Sequence, residues 1–91
     1  MPIEIKWHDQ DPETGDRRML CAEKFAGAWH FKWRFRRYET WNKGLQPTRE
    51  MWEYVLDSLQ RRYRRREGVS DEDVAQVERI LKDLRRKEEE E

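Results

Sequence analysis

Residues 29 to 36 read Trp29-His30-Phe31-Lys32-Trp33-Arg34-Phe35-Arg36, an alternation of large aromatic and basic side chains. A β-strand points successive side chains to opposite faces of its sheet. The segment is therefore predicted to be a strand with one aromatic face and one cationic face. The aromatic face must be covered, so we expect it to form core through Trp29, Phe31, Trp33 and Phe35. The cationic face is free to meet an anion and carries His30, Lys32, Arg34 and Arg36.

Two shorter patterns precede this segment and complete a predicted three-stranded sheet. Apolar and polar side chains alternate over residues 3–8, which is typical of an amphipathic strand. Residues 9–16 have the composition of a turn, so we expect the chain to return antiparallel. Residues 17–25 are predicted as the second strand, and a short helix over residues 20–26 is the alternative.

Two helical patterns follow the sheet. The first begins after a predicted N-cap, Thr48, and is expected to stop at Gly68 in the C′ position. The second begins after Ser70, with three acidic residues in its first turn. Each pattern has one apolar stripe at helical spacing. The stripe of the first is Trp52, Val55, Leu56, Leu59 and Tyr63, and that of the second is Val74, Val77, Ile80, Leu81 and Leu84.

These patterns predict an α+β fold of the order β-β-β-α-α. A small three-stranded antiparallel sheet would pack through its aromatic face on an antiparallel helix pair, since the connection between the helices is short. We expect one globular domain over residues 1–87. Residues 88–91 are four consecutive glutamates and are expected to form a disordered acidic tail.

The composition limits the class of protein. The 91 residues are 44% charged and only 35% apolar, but basic and acidic groups cancel, and 12% of residues are aromatic. A few large aromatics can supply the buried area of many aliphatic residues. No apolar run approaches the ~18 residues of a membrane span, and no signal peptide is visible. The single cysteine, Cys21, excludes an internal disulfide framework. We therefore expect a cytoplasmic protein.

Motifs for catalysis or for a cofactor are missing from the sequence. His8 and His30 have no partner at a recognised nucleophile or metal spacing, and no glycine-rich phosphate loop occurs. The acidic residues of the turn at 9–16 lack the ligand pattern of a calcium loop. We expect no catalytic residue, no metal site, no cofactor and no enzymatic activity.

Basic residues concentrate in the middle of the chain, where residues 29–68 hold 11 basic and 5 acidic groups. On the predicted strand, cations of one face would lie about 6.8 Å apart, a spacing comparable to that of backbone phosphates. A second basic group ends the first helix. There Tyr54, Arg61 and Arg65 are predicted to share the face opposite the apolar stripe. Trp41 follows the sheet and has no predicted face.

The basic patches favour a small non-enzymatic module that binds DNA or RNA. The predicted contacts are phosphate pairing by the cations and stacking of a base on an aromatic ring. The alternative is a protein–protein interaction or assembly subunit, because tyrosine and arginine are also common at protein interfaces. A third interpretation gives the cationic face no partner at all and leaves it simply solvated. The predicted nucleic-acid-binding residues are His30, Lys32, Arg34, Arg36, Tyr54, Arg61 and Arg65.

Overall fold

A computed structural model describes residues 3–90 and divides the chain into two compact units, Met1–Gln46 and Pro47–Glu91. The first unit is an antiparallel sheet and the second is a pair of helices, which confirms the α+β class. The packing of sheet on helices and the single domain over residues 1–87 stay predictions. The elements are β1 (Ile3–Gln10), β2 (Arg17–Phe25), β3 (Ala28–Arg34), β4 (Asn42–Lys43), α1 (Arg49–Arg64) and α2 (Asp71–Glu90).

The first hairpin joins β1 to β2 through the acidic turn. Asp11 Oδ1 accepts a hydrogen bond from the Glu13 backbone N–H at 2.8 Å, which is an Asx-type turn. Gly15 follows with a φ of 77°, a conformation that favours glycine. The register then pairs Ile5 with Ala22 and Asp9 with Arg18. The turn predicted at residues 9–16 is therefore confirmed, and β1 extends two residues beyond the predicted strand.

The second hairpin has a two-residue turn. Ala26 and Gly27 both have positive φ, 52° and 79°, as a type I′ turn requires. Phe25 then pairs with Ala28, and Cys21 pairs with Lys32. The alternative helix over residues 20–26 is wrong. β2 is hydrogen-bonded to a strand on each side, and such a central strand can be apolar on both faces.

The predicted aromatic face is the more apolar face of the sheet. Phe31 is buried on it beside Ala22, and its ring meets Trp7 edge-on at 6.5 Å. Trp29 and Trp33 are only half-buried. β3 ends at Arg34, earlier than predicted, so Phe35 and Arg36 lie in the bend that follows. The strict alternation therefore stops at residue 34.

A charged pair with a buried arginine and a half-buried carboxylate lies on this same face. Arg18 is only 6% exposed, and its guanidinium donates two hydrogen bonds to the Asp9 carboxylate, at 2.9 and 2.8 Å. Two parallel bonds of this kind are the strongest arrangement for an arginine and a carboxylate. The sequence alone did not indicate this pair, because both residues resemble ordinary surface charges.

The sheet has a fourth, very short strand that the sequence analysis did not predict. β4 contains only Asn42 and Lys43, which pair with Trp33 and Lys32. Asn42 also donates its side-chain N–H to the Trp33 carbonyl at 3.2 Å. β4 thereby places residues 42–45 along the outer edge of β3.

The start of α1 is as predicted. Thr48 Oγ1 accepts a hydrogen bond from the Met51 backbone N–H at 3.2 Å, so Thr48 is the N-cap. The apolar stripe is buried at Trp52, Val55 and Leu59, whereas Leu56 is half-buried and Tyr63 is 44% exposed. Met51 is also buried, a position that the predicted stripe did not include.

The end of α1 differs from the prediction. The helix stops at Arg64, and the C′ residue is Arg66, with a φ of 58°. Gly68 also has a positive φ, 78°, but it lies two residues further on. The Glu67 N–H donates to the Arg62 carbonyl at 2.9 Å, and the Arg66 N–H donates to the Tyr63 carbonyl at 3.1 Å. These two bonds form a Schellman motif with arginine in the position where glycine is usual.

α2 begins with a reciprocal cap. Ser70 Oγ accepts a hydrogen bond from the Asp73 N–H at 3.3 Å, and Asp73 Oδ2 accepts one from the Ser70 N–H at 2.9 Å. Val77 and Leu81 are buried as predicted, and Leu84 is half-buried. Arg49 Nη1 lies 2.7 Å from Glu88 Oε2, so the start of α1 meets the end of α2 and the helices are antiparallel.

α2 continues through Glu90, over most of the segment predicted to be a disordered tail. Glutamate is a good helix former, and the ion pair of Glu88 with Arg49 gives the last turns a partner. Glu91 lies outside the described residues. Within residues 3–90, neither helix combines the length and the apolar composition that crossing a membrane requires.

We expect Arg66→Gly to stabilise the protein. A residue with a Cβ in the left-handed region costs about 1–2 kcal/mol, which glycine avoids at some cost in backbone entropy. The net gain should be about 0.5–1 kcal/mol, measured as a higher midpoint of urea unfolding. Arg62→Gly, inside the helix, is the control and should destabilise by about 1 kcal/mol. A lower midpoint for Arg66→Gly would contradict the assigned helix end.

Candidate nucleic-acid interface

Three of the predicted binding residues lie on one strand. His30, Lys32 and Arg34 alternate along β3 and share the sheet face opposite Phe31. On the neighbouring strand, Cys21 is the register partner of Lys32 and faces the same way. The predicted cationic face therefore exists as a row of three residues.

Lys32 is engaged by a neighbouring carboxylate. Its Nζ lies 3.3 Å from Glu23 Oε2, and both side chains are about one-quarter exposed, at 25% and 29%. Glu23 stands on β2, diagonally across from Lys32 on the same face. Lys32 therefore contributes little free positive charge, and His30, which is exposed, is the more accessible member of the row.

Trp41 covers part of the row, a contact that the sequence analysis missed. The Arg34 guanidinium lies 4.2 Å from the centre of the Trp41 ring, and Lys32 Nζ lies 5.2 Å from it. Cations at these distances are attracted to the face of an aromatic ring. Trp41 is thus assigned to the cationic face, where it partly shields Lys32 and Arg34 from solvent.

Arg34 is further held by the chain that follows β3. Its Nη1 donates to the Glu39 carbonyl at 3.3 Å, and the Glu39 carboxylate accepts from the Phe35 N–H at 3.3 Å. The Nε atom of Arg34 is buried without a hydrogen-bond partner. Arg34 therefore supports the loop as well as the sheet, and its charge is only partly available.

Arg36 lies in the turn after β3 and not in the row itself. Its Nη1 donates to the hydroxyl oxygen of Tyr38 at 2.6 Å, and its guanidinium lies 6.0 Å from that ring. Tyr38 is 79% exposed, and the neighbouring Arg37 is exposed as well. The turn consequently presents an open aromatic ring directly after two exposed arginines in the chain.

An open cleft of about 480 Å³ lies beside the other end of the row. Phe25, which is 61% exposed, stands at the cleft on the face that carries His30. The other main lining residues are Glu23, Phe31, Lys32, Lys43 and Leu45. The cleft therefore combines apolar walls with three basic side chains and a single carboxylate.

The predicted binding residues of the helix unit carry less free positive charge than expected. Tyr54 is 42% exposed, and Arg61 is exposed four residues after Asp57. The Asp57 carboxylate accepts hydrogen bonds from Arg61 and so raises the pKa of that guanidinium. Arg65 has only a distant partner, Glu67, at 3.9 Å. Arg61 is thus largely neutralised, whereas Arg65 is not.

Within residues 3–90, the acidic residues at the start of α2 do not neutralise the other arginines at the end of α1. Arg62, Arg64 and Arg66 make no ion pair with any acidic residue among positions 3–90. Asp71 instead accepts a hydrogen bond from the Tyr63 hydroxyl, which raises the pKa of the tyrosine. The sheet group and the helix group of predicted binding residues belong to different units.

One group of potential metal ligands occurs on the cationic face. Side-chain atoms of Glu4, Cys21 and Glu23 lie within 4.8 Å of one another. Lys6 lies 2.9 Å from Glu4, and Lys32 pairs with Glu23, so both carboxylates already have a cation. Burial, and then the negative charge of Glu4, raises the pKa of the Cys21 thiol. A protonated thiol is a poor metal ligand, since the thiolate is the form that binds.

Comparison of the chain with protein-family models, curated proteins and solved structures finds no match. The function of the chain is therefore inferred from the geometry of each unit.

We expect Cys21 to react slowly with iodoacetamide in the folded protein. The side chain is fully buried and its pKa is raised, so alkylation has to wait for the sheet to open. Mass spectrometry should show labelling at least about 100-fold slower than in concentrated urea, because the open state is rarely populated. Equal rates in the two conditions would contradict the burial of the central strand.

Proposed function

We propose that this chain is a small, non-enzymatic nucleic-acid-binding module. The observation that carries the proposal is a set of exposed basic side chains at β3, the turn after it and β4. None of them makes an ion pair with a carboxylate within residues 3–90. They are His30, Arg36, Arg37 and Lys43.

The proposed mechanism is neutralisation of phosphates by these side chains with release of condensed counterions. Lys32 and Arg34 act mainly by holding Trp41 on the face, since each already has a partner. The exposed cations are therefore the proposed direct contacts to phosphate. Lys32 and Arg34, which are partly buried, have a positioning role.

We propose the end of α1 as a second, independent phosphate-contacting surface. Arg65 and its unpaired neighbours Arg62, Arg64 and Arg66 would supply the charge, and Tyr54 an exposed ring. Arg61 would contribute less, because Asp57 already satisfies it. The proposed partner is DNA or RNA, and the proposed location is the cytoplasm.

The triple variant Arg36→Ser, Arg37→Ser, Lys43→Ser tests the proposal. All three side chains are exposed, so we expect the protein to stay folded by circular dichroism. Affinity for labelled oligonucleotides at ~50 mM salt should fall, and the slope of log K against log salt should flatten by about two units. Fluorescence anisotropy over a salt series measures both quantities.

A matched control removes the same charge elsewhere. Arg79→Ser, Lys82→Ser, Arg85→Ser changes three exposed cations of α2 and should leave the affinity and the salt slope close to those of the parent. Equal losses in the two triple variants would mean that only net charge matters. An absence of parent binding at low salt, where electrostatic attraction is strongest, would overturn the proposal in favour of a protein partner.

A further inference from the structure

Two highly exposed aromatic rings stand near opposite ends of β3. Phe25, 61% exposed, is the register partner of Ala28 at the first residue of the strand. Tyr38, 79% exposed, lies in the turn four residues past Arg34 at the last.

Basic side chains of the cationic face and of the turn after it occur along the chain between these two positions. Side chains on one face of a strand repeat every ~6.8 Å, and β3 is about 20 Å long from Ala28 to Arg34. His30 lines the same cleft as Phe25, and Arg36 donates a hydrogen bond to the Tyr38 hydroxyl. Each of the two exposed rings therefore has an exposed basic side chain beside it.

We propose that this face binds single-stranded nucleic acid, with one base stacked on Phe25 and another on Tyr38. The inference rests on the proposed nucleic-acid-binding function and adds the class of ligand. Unpaired bases can leave the strand and stack on an aromatic ring, and stacking of this kind is tolerant of sequence. In a duplex the faces of the bases are already stacked on one another, so the two rings would find no partner.

The cleft beside Phe25 fits a splayed base. Its volume of about 480 Å³ is within the ~300–1,000 Å³ of small-molecule sites, and its apolar lining includes Phe25 and Leu45. His30 and Lys43 stand where a flanking phosphate would need a cation. The one carboxylate of the cleft, Glu23, is already paired with Lys32, which leaves the cleft favourable for an anionic ligand.

Trp41 is not the stacking residue that its sequence position suggests. Arg34 and Lys32 already lie over its ring, at 4.2 and 5.2 Å, and would have to be displaced by a base. Tyr38 has the more open ring, and the hydrogen bond from Arg36 orients it without covering it from solvent.

The experiment compares single-stranded and duplex oligonucleotides of equal phosphate number by fluorescence anisotropy at ~50 mM salt. The parent should prefer the single strand. Phe25→Ala, Tyr38→Ala should weaken binding to the single strand by at least about tenfold while changing duplex binding less than about twofold. The matched variant Phe25→Tyr, Tyr38→Phe keeps both rings and should retain the parent's affinity for the single strand.

The outcomes separate this inference from the proposed function. Duplex binding as tight as single-strand binding, with the same sensitivity to Arg36→Ser, Arg37→Ser, Lys43→Ser, would leave the function in place and overturn the inference. An unchanged single-strand affinity in the double alanine variant would also overturn it. No binding to either oligonucleotide would overturn the function and the inference together.

Discussion

The pairing of β2 with β3 is the constraint on which the proposed binding surface depends. The turn at Ala26 and Gly27 fixes the register, and the register decides which side chains share a face. A shift by one residue would move His30, Lys32 and Arg34 to the aromatic face. It would also place Phe31 on the solvated face of the sheet. The register that this short turn sets thus determines which side chains lie on the apolar face and which lie on the charged face.

Much of the fold could be read from local patterns. Alternation placed Phe31 and Lys32 on opposite faces, and short-range side-chain bonding explains why Thr48 and Ser70 begin helices. The position of Trp41 could not be predicted in this way, because its contacts come from residues seven and nine positions earlier, across a loop. The end of α1 was misplaced for a related reason. Local preference favours glycine, and hydrogen bonds to Arg62 and Tyr63 select Arg66 instead.

The sequence also overstated the charge of the candidate site. Lys32 and Arg61 each count as a full cation in the composition, yet both have a carboxylate partner in the fold. Exposed ion pairs add little to stability, but they do lower the field that a distant phosphate meets. Arg36 and Arg37, which carry no such partner, lie just beyond the strand whose pattern drew attention to the region. The positive charge that is available to a phosphate therefore lies mainly in the turn after β3.

The pair of Asp9 and Arg18 has a consequence for how this sequence can change. Loss of Asp9 would leave the buried Arg18 guanidinium without its partner, which is strongly destabilising, whereas an exchange of both residues for well-packed apolar residues is often tolerated. Replacement of Asp9 before Arg18 therefore passes through a poorly folded intermediate. Substitutions at positions 9 and 18 are therefore expected to be correlated among related sequences. The paired ends of β1 and β2 should stay aligned even where the surrounding surface residues differ.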